Sequence, residues 1–108
     1  MDFKEYQKKI KVTAKYPANV RVLYPCLGLA GETGEVCEKI KKVYRDNDGV
    51  FTQDKIEEIK KEIGDVLWYI QALCNDLGIN MQDVAQLNVD KLLSRLERGV
   101  INGNGDNR

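Results

Sequence analysis

Residues 53–78 read Q-D-K-I-E-E-I-K-K-E-I-G-D-V-L-W-Y-I-Q-A-L-C-N-D-L-G, and a helical period runs through them. The apolar residues recur every three or four positions, which is typical of a helix that buries one face. They are Ile56, Ile59, Ile63, Leu67, Ile70 and Cys74. Thr52 is a suitable N-terminal cap, and Gly78 is typical of a helix end. The pattern predicts a helix over residues 53–77.

The second half of this helix, Val66 to Leu77, is apolar almost all round. At about 100° per residue, Trp68 falls nearly opposite the isoleucine stripe. A helix that is apolar on every side is usually covered on every side. We therefore expect a homo-oligomer, a dimer or a dimer-of-dimers tetramer, whose interface uses the Trp68 side. The alternative is an exposed tryptophan.

Three further helices are expected and no strand. The first spans about residues 2–15 and ends before Tyr16-Pro17, because the residue before a proline is disfavoured in a helix. The second starts near Pro25 and runs to about Arg45, where the turn residues 46–49 stop it. The third is residues 53–77, and the fourth opens at Asn80 and runs to about Glu97. The sequence thus predicts an all-α fold, a four-helix antiparallel bundle over residues 1–98, with a Gly/Asn-rich tail over 99–108 in the same domain.

Composition narrows the function. The 108 residues are 43% hydrophobic and 31% charged, with 17 basic and 17 acidic side chains, so no charge excess favours nucleic acid or an anionic membrane. No signal or membrane-spanning run is apparent, and we expect a cytoplasmic protein. The three cysteines, at positions 26, 37 and 74, have no metal-binding spacing, so we expect reduced thiols that lie mostly in the core.

The chain contains no histidine. This excludes Ser-His and Cys-His nucleophile pairs and histidine-ligated zinc. Any chemistry must therefore come from carboxylates, lysines, arginines and a hard metal ion.

Two rows of carboxylates fit that requirement. Residues three or four apart are neighbours on a helix surface. The rows are Glu32, Glu35 and Glu38 on the second helix and Glu58, Glu62 and Asp65 on the third. If these helices pack antiparallel, the rows meet, and like charges at that range require a counter-ion. All-oxygen ligands suit Mg²⁺, with Mn²⁺ as a substitute.

The ordinary alternative is a set of solvated acids paired with neighbouring lysines. A ferritin-like di-iron site is disfavoured because it needs Glu-x-x-His motifs and the chain has no histidine.

The chain contains two acidic pairs, Glu32-x-x-Glu35 and Glu62-x-x-Asp65, which are separated by residues 36–61. This pattern resembles the E-x-x-E…E-x-x-D signature of the MazG-like nucleoside triphosphate pyrophosphohydrolases. The flanking stretches G-L-A-G-E-T-G-E-V and E-I-G-D-V-L-W-Y-I are similar to those of the family, as are Leu77-Gly78-Ile79 and residues 88–92. The resemblance covers roughly residues 24–98.

This resemblance implies an all-α enzyme that hydrolyses nucleoside or deoxynucleoside triphosphates to the monophosphate and pyrophosphate. It also implies Mg²⁺ and assembly as dimers or dimers of dimers. The family's metal ligands carry over to Glu32, Glu35, Glu62 and Asp65. Glu35 and Glu62 also become catalytic candidates, with Glu38 and Glu58 as outer ligands or as the base for the attacking water. Metal and positioning suffice for this phosphoryl chemistry, which fits a chain without a covalent nucleophile.

The triphosphate also needs cationic partners. Lys91, Arg95 and Arg98 share one face of the fourth helix with Asn88, and Arg108 in the glycine-rich tail is a further clamp. A solvated basic face, and a tail used for subunit packing, are the alternatives. For the base, Trp68 is the first choice, and Tyr16, Tyr24 and Tyr69 are the other stacking candidates.

Two functions from different classes remain open. The first is the metal-dependent pyrophosphohydrolase, acting as a house-cleaning enzyme on non-standard or surplus deoxynucleoside triphosphates. The second is a helical oligomerisation or nucleotide-sensing module without turnover. All four signature acids are present, which favours the enzyme.

Overall fold

The computed structural model describes residues 1–108 and contains four α-helices and no strand, which confirms the all-α prediction. Helix α1 spans Phe3–Lys9, α2 Leu23–Asp46, α3 Gln53–Leu77 and α4 Met81–Glu97. Two short 3-10 turns, Ile10–Val12 and Ala18–Val20, lie between α1 and α2.

Local capping explains the bounds of α3 and α4. The Thr52 hydroxyl accepts the Lys55 N–H at 3.4 Å, and the Asn80 carboxamide accepts the Gln82 N–H at 2.8 Å. Gly78 adopts φ 68°, a left-handed conformation that favours glycine, and it closes the C-terminus of α3. The predicted bounds of α3 are therefore confirmed.

The N-terminal third differs from its prediction. The first α-helix ends at Lys9, six residues early, and continues only as the 3-10 turn. The Thr13 hydroxyl donates to the Ile10 carbonyl at 2.9 Å, which helps to satisfy the end of this segment. Helix α2 begins at Leu23, so Pro25 lies inside its first turn, where a missing N–H costs little.

Helices α2 and α3 form an antiparallel hairpin, which is the main packing unit of the chain. In the connection from Asn47 to Thr52 the chain reverses at Asp48 and Gly49, both of which have positive φ. The side-chain amide of Asn47 stabilises this turn by donating a hydrogen bond to the Val50 carbonyl at 2.6 Å. Helix α1 and its 3-10 turn lie against α3. The hairpin sets the relative height of α2 and α3 and thereby the position of the acidic rows.

Within one chain the four helices do not close into a compact bundle. The radius of gyration is 17.0 Å, against about 13 Å for a compact domain of this length. Helix α4 packs against α1 and stands away from the α2–α3 hairpin. Its predicted core side is exposed: Leu87, for example, retains 71% of its accessible surface. The remaining exposed apolar residues of this face are Val84, Leu92, Leu93 and Leu96.

The cysteine prediction is correct only in part. All three thiols are free, but only Cys74 is buried, whereas Cys26 and Cys37 are exposed on α2. They lie on positions of α2 that the single hairpin partner, α3, does not cover. No helix has both the length and the apolar content that a membrane crossing requires.

Candidate active site

Three of the predicted metal ligands come together between α2 and α3. Glu32 of α2 and Glu62 and Asp65 of α3 each offer a carboxylate oxygen, and these oxygens all lie within 4.8 Å of one another. Glu32 and Glu62 are half-buried and Asp65 is exposed. We call these three residues the acid cluster.

Local sequence and the hairpin together produce the cluster. Glu62 and Asp65 are three residues apart on α3 and therefore share a face. The short α2–α3 connection brings Glu32, near the middle of α2, opposite them. The Glu-x-x-Asp spacing and the hairpin register thus suffice to assemble three oxygen ligands.

The cluster is electrostatically unfavourable without a cation. The pKa of Glu32 is raised above its ordinary value, first by desolvation and then by the negative charges of Asp65, Glu62 and Glu35. None of the salt bridges in the structure involves any of these four carboxylates, so no lysine or arginine neutralises them. Three carboxylate oxygens at this separation suit a hard divalent ion such as Mg²⁺.

The other predicted acids lie outside the cluster. Glu35 is exposed on α2, one turn from Glu32, and near enough for its charge to raise the pKa of Glu32. Glu38 is paired with Lys41 at 2.8 Å and with Lys42 at 3.8 Å, and these contacts lower its pKa.

Glu58, on α3, pairs with Lys55 at 3.8 Å. The alternative interpretation, solvated acids paired with lysines, therefore describes Glu38 and Glu58 but not the acid cluster.

A cavity of about 690 Å³ adjoins the acid cluster. A volume of this size lies in the range of small-molecule sites. Two members of the acid cluster, Glu32 and Asp65, contribute to its wall. The other lining residues are Thr13, Lys15, Tyr16, Pro17, Tyr24, Trp68 and Tyr69.

Aromatic rings form much of the cavity wall. Tyr16 and Tyr24 are stacked, with ring centroids 4.7 Å apart and an interplanar angle of 19°. Trp68 and Tyr69 meet edge to face at 5.0 Å. All four predicted stacking candidates thus lie beside the acid cluster, in one cavity.

Two contacts fix the α3 side of this wall. The indole N–H of Trp68 donates to the Thr13 hydroxyl at 2.8 Å, so the N-terminal segment of the same chain covers part of the Trp68 side. Gly28 on α2 leaves room for the Tyr69 ring, because a Cβ at that position would overlap it. The predicted use of Trp68 in a subunit interface stays a prediction.

The predicted triphosphate cations gather at a different place. Lys91 and Arg95 contact the Asp106 carboxylate at 3.2 and 3.4 Å, and Arg95 also donates to the Asp106 carbonyl at 2.8 Å. These contacts lower the pKa of Asp106. Arg95 is 4% exposed, and its Nε has no hydrogen-bond partner. In this conformation α4 uses both cations to hold the tail.

The remaining predicted residues are also engaged by the tail or exposed. Arg98 donates to the Arg108 carbonyl at 2.8 Å, and Arg108 in turn donates to carbonyls of the tail, including Ile101 at 3.0 Å. Asn88 is exposed on α4. Since α4 stands away from the hairpin, the structure of one chain does not bring these residues to the acid cluster.

The N-terminal half of the cavity is only partly predictable from the sequence. Tyr16 is a predicted stacking residue, whereas Thr13, Lys15 and Pro17 line the cavity without a predicted role in the site. The available signal was the repeated Tyr-Pro pair, at 16–17 and 24–25, which places two rigid aromatic corners before α2.

Comparison with known proteins identifies a relative and a family. The chain is 45% identical over 109 residues to the "Gene 37 protein" of Mycobacterium phage L5, an alignment that covers 95% of this chain and 96% of that protein. No solved structure gives a significant match. Residues 25–100 match the family model described as "MazG nucleotide pyrophosphohydrolase domain", a segment that contains the acid cluster and most of the chain. The chain therefore belongs to the MazG nucleotide pyrophosphohydrolase domain family.

Proposed function

We propose that the protein is a Mg²⁺-dependent hydrolase that converts nucleoside or deoxynucleoside triphosphates to the monophosphate and pyrophosphate. One observation carries the proposal: the acid cluster opens into an aromatic-walled cavity of nucleotide size. Family membership supports the reaction type. We further propose that the reaction clears unwanted nucleotides from the cytoplasmic pool.

The residues have separable roles in this proposal. Glu32, Glu62 and Asp65 hold Mg²⁺, and Glu35 is the predicted fourth ligand. When bound, Mg²⁺ offsets charge on the phosphate oxygens and lowers the pKa of a coordinated water. The hairpin contributes rigidity, because all four carboxylates project from two long helices held in one register. The aromatic wall excludes water from the nucleoside end and orients the substrate.

The test is a panel of the common and the oxidised or methylated deoxynucleoside triphosphates, with separate detection of pyrophosphate and orthophosphate. We expect Mg²⁺-dependent release of pyrophosphate from at least one of them. Glu62→Gln and Asp65→Asn should each lower kcat by more than about a hundred-fold, since even outer-shell losses at metal sites cost 10- to 100-fold. Glu57→Gln, an exposed α3 residue that accepts a hydrogen bond from Gln53, is the matched control. Turnover that is absent across the panel, with binding retained, would favour the nucleotide-sensing module.

We also propose that a second copy of this chain covers the exposed apolar face of α4. An apolar face that stands free of its own hairpin is a typical subunit contact. The hairpin carries an apolar recess of about 310 Å³ that such a face could occupy, lined among others by Ile40, Phe51 and Ile63. Light scattering should give a multiple of 12.3 kDa. Leu87→Lys should reduce the mass to that of one chain, whereas Gln86→Lys, its polar neighbour on α4, should not.

The basic residues of α4 remain our proposed triphosphate contacts. One face of α4 carries Lys91, Arg95 and Arg98 together with Asn88. The Asp106 carboxylate forms salt bridges with two of these cations, Lys91 and Arg95. For these cations to bind phosphate, the Asp106 carboxylate must be displaced. Arg108 holds the tail in the present conformation and takes the role of a phosphate clamp only in the displaced one.

A further inference from the structure

Asp76, near the C-terminus of α3, binds three groups of the N-terminal segment with one carboxylate. The Tyr16 hydroxyl donates to Oδ2 at 2.8 Å, and the Val22 backbone N–H donates to the same oxygen at 2.9 Å. The Arg21 guanidinium lies 3.7 Å from Oδ1 and also donates to the Asp76 carbonyl at 3.3 Å. The Asp76 side chain is 11% exposed. This carboxylate lies outside the acid cluster and belongs to none of the motifs described above.

The segment that Asp76 holds is conformationally strained. Val22 adopts φ 68° and ψ −53°, and the Leu23 N–H donates to the Arg21 carbonyl at 2.8 Å, which defines a γ-turn with positive φ. A β-branched residue in this conformation is an outlier that persists only where its surroundings impose it. The bond from Val22 N–H to Asp76 and the Arg21 ion pair are the contacts that impose it here.

The strained turn positions the wall of the cavity. It lies between Tyr16 and Tyr24, whose rings stack on each other and line the cavity beside Glu32 and Asp65. Burial and the bond to Asp76 raise the pKa of Tyr16 to about 12, so its hydroxyl stays a donor at neutral pH. The wall residues Thr13, Lys15, Tyr16, Pro17 and Tyr24 all precede the family match, which begins at residue 25.

We propose that Asp76 is a positioning residue for nucleotide binding: it holds the Tyr16–Val22 segment so that Tyr16 forms the wall against which the nucleoside rests. The inference depends on the proposed function only for the class of ligand, and it applies equally to a protein that binds nucleotides without turnover. The acid cluster binds the phosphate end, while the N-terminal segment, which precedes the family match, contacts the nucleoside.

The test is a double-mutant cycle between Asp76 and Tyr16, read by titration calorimetry in Mg²⁺. The probes are the four α,β-imido deoxynucleoside triphosphates, which are not cleaved at the α–β bond, and inorganic tripolyphosphate, which has no nucleoside. Tyr16→Ala and Asp76→Ala should each raise Kd for the tightest analogue at least about five-fold, the lower end of what a base–aromatic stack contributes. Kd for tripolyphosphate should change by less than about two-fold, because the acid cluster is untouched.

The double variant distinguishes positioning from an independent contribution. If Asp76 acts through Tyr16, Asp76→Ala adds nothing in the Tyr16→Ala background. Additive effects of the two substitutions on Kd would overturn the proposal. Equal weakening of analogue and tripolyphosphate binding would also overturn it, as would failure of the wild type to bind any analogue. Tyr16→Phe keeps the ring but loses the bond to Asp76, so it should give an intermediate Kd even if Asp76→Ala does not fold.

Asp46→Ala is the matched control. Asp46 is also an aspartate at a helix C-terminus paired with an arginine, Arg45, but that pair is exposed at the far end of α2. Its Kd values should equal those of the wild type. Release of pyrophosphate is measured separately, so absence of turnover would refute the proposed function while leaving the role of Asp76 to be decided by the Kd values.

Discussion

Replacing Glu62 by glutamine should stabilise the metal-free protein and remove most of its stabilisation by Mg²⁺. The three carboxylate oxygens of the acid cluster lie within 4.8 Å of one another, so each ionised pair repels by about 0.9 kcal/mol at the dielectric constant of water. Glu62→Gln keeps the shape and removes two of the three pairs. Screening by salt reduces the gain to about 1 kcal/mol for these solvent-accessible groups.

Thermal unfolding measures this gain directly. For a chain of this size, about 1 kcal/mol corresponds to a rise in Tm of about 4–6 °C in EDTA. Mg²⁺ at ten times its Kd adds about 1.4 kcal/mol to the wild type, because it binds only the folded state. Glu62→Gln should lose most of that increment, and Glu57→Gln should change neither quantity.

Two results would refute this reasoning. If Glu62→Gln leaves the Tm in EDTA unchanged or lowers it, the cluster is not repulsive in the folded protein. If the variant retains the full Mg²⁺-dependent rise in Tm, Glu62 is not a metal ligand. Circular dichroism at low temperature is the check that helix content is the same in all three proteins.

The remaining predictions concern Glu32, two glycines of α2 and Asp106. The pKa of Glu32 in the folded protein lies above its ordinary value of 4.5, so the folded state loses stability as the pH rises from 4.5 through the folded pKa and Glu32 ionises. Glu32→Gln should therefore raise the metal-free Tm at about pH 7, and this difference from the wild type should disappear at about pH 4. Gly28→Ala should lower the free energy of unfolding by about 1 kcal/mol in denaturant titrations, because overlap with Tyr69 outweighs the gain in helix propensity. Gly34→Ala should raise the free energy of unfolding, because the added methyl group meets no neighbour there. Asp106→Asn removes the carboxylate charge that pairs with Lys91 and Arg95 and should lower the KM for the triphosphate several-fold in steady-state assays. An unchanged or higher KM would contradict the assignment of these two cations to phosphate.

The α3 helix and the acid cluster were predictable because their determinants are local. The bounds of α3 follow from Thr52, Gly78 and a helical period, all readable within a few residues. The meeting of Glu32 with Glu62 requires one further step, an antiparallel hairpin closed by a short turn. Contacts that depend on one hairpin are the shortest-range tertiary contacts that a helical chain can make.

The cavity wall and the placement of α4 were not predictable for the opposite reason. Tyr16 and Val22 reach Asp76 across more than fifty residues, and nothing near any of them in sequence indicates the pairing. The spacing of Lys91, Arg95 and Arg98 predicts one cationic face on α4, but local spacing does not reveal that Asp106 pairs with two of these cations. The apolar residues of α4 recur with the period of a buried helix face. This period does not reveal whether the face packs against the same chain or against another chain.

The hydrogen bond between the Trp68 indole and Thr13 also bears on the tryptophan fluorescence of this protein. The chain contains one tryptophan, and that residue lines the cavity beside the acid cluster. Its emission therefore originates at one place, from an indole whose N–H is held by a hydroxyl at 2.8 Å. A base that stacks in the cavity will quench this emission, and water that displaces the Thr13 hydroxyl will shift it to longer wavelength. The unlabelled protein thus carries an optical reporter that distinguishes a filled cavity from an opened one.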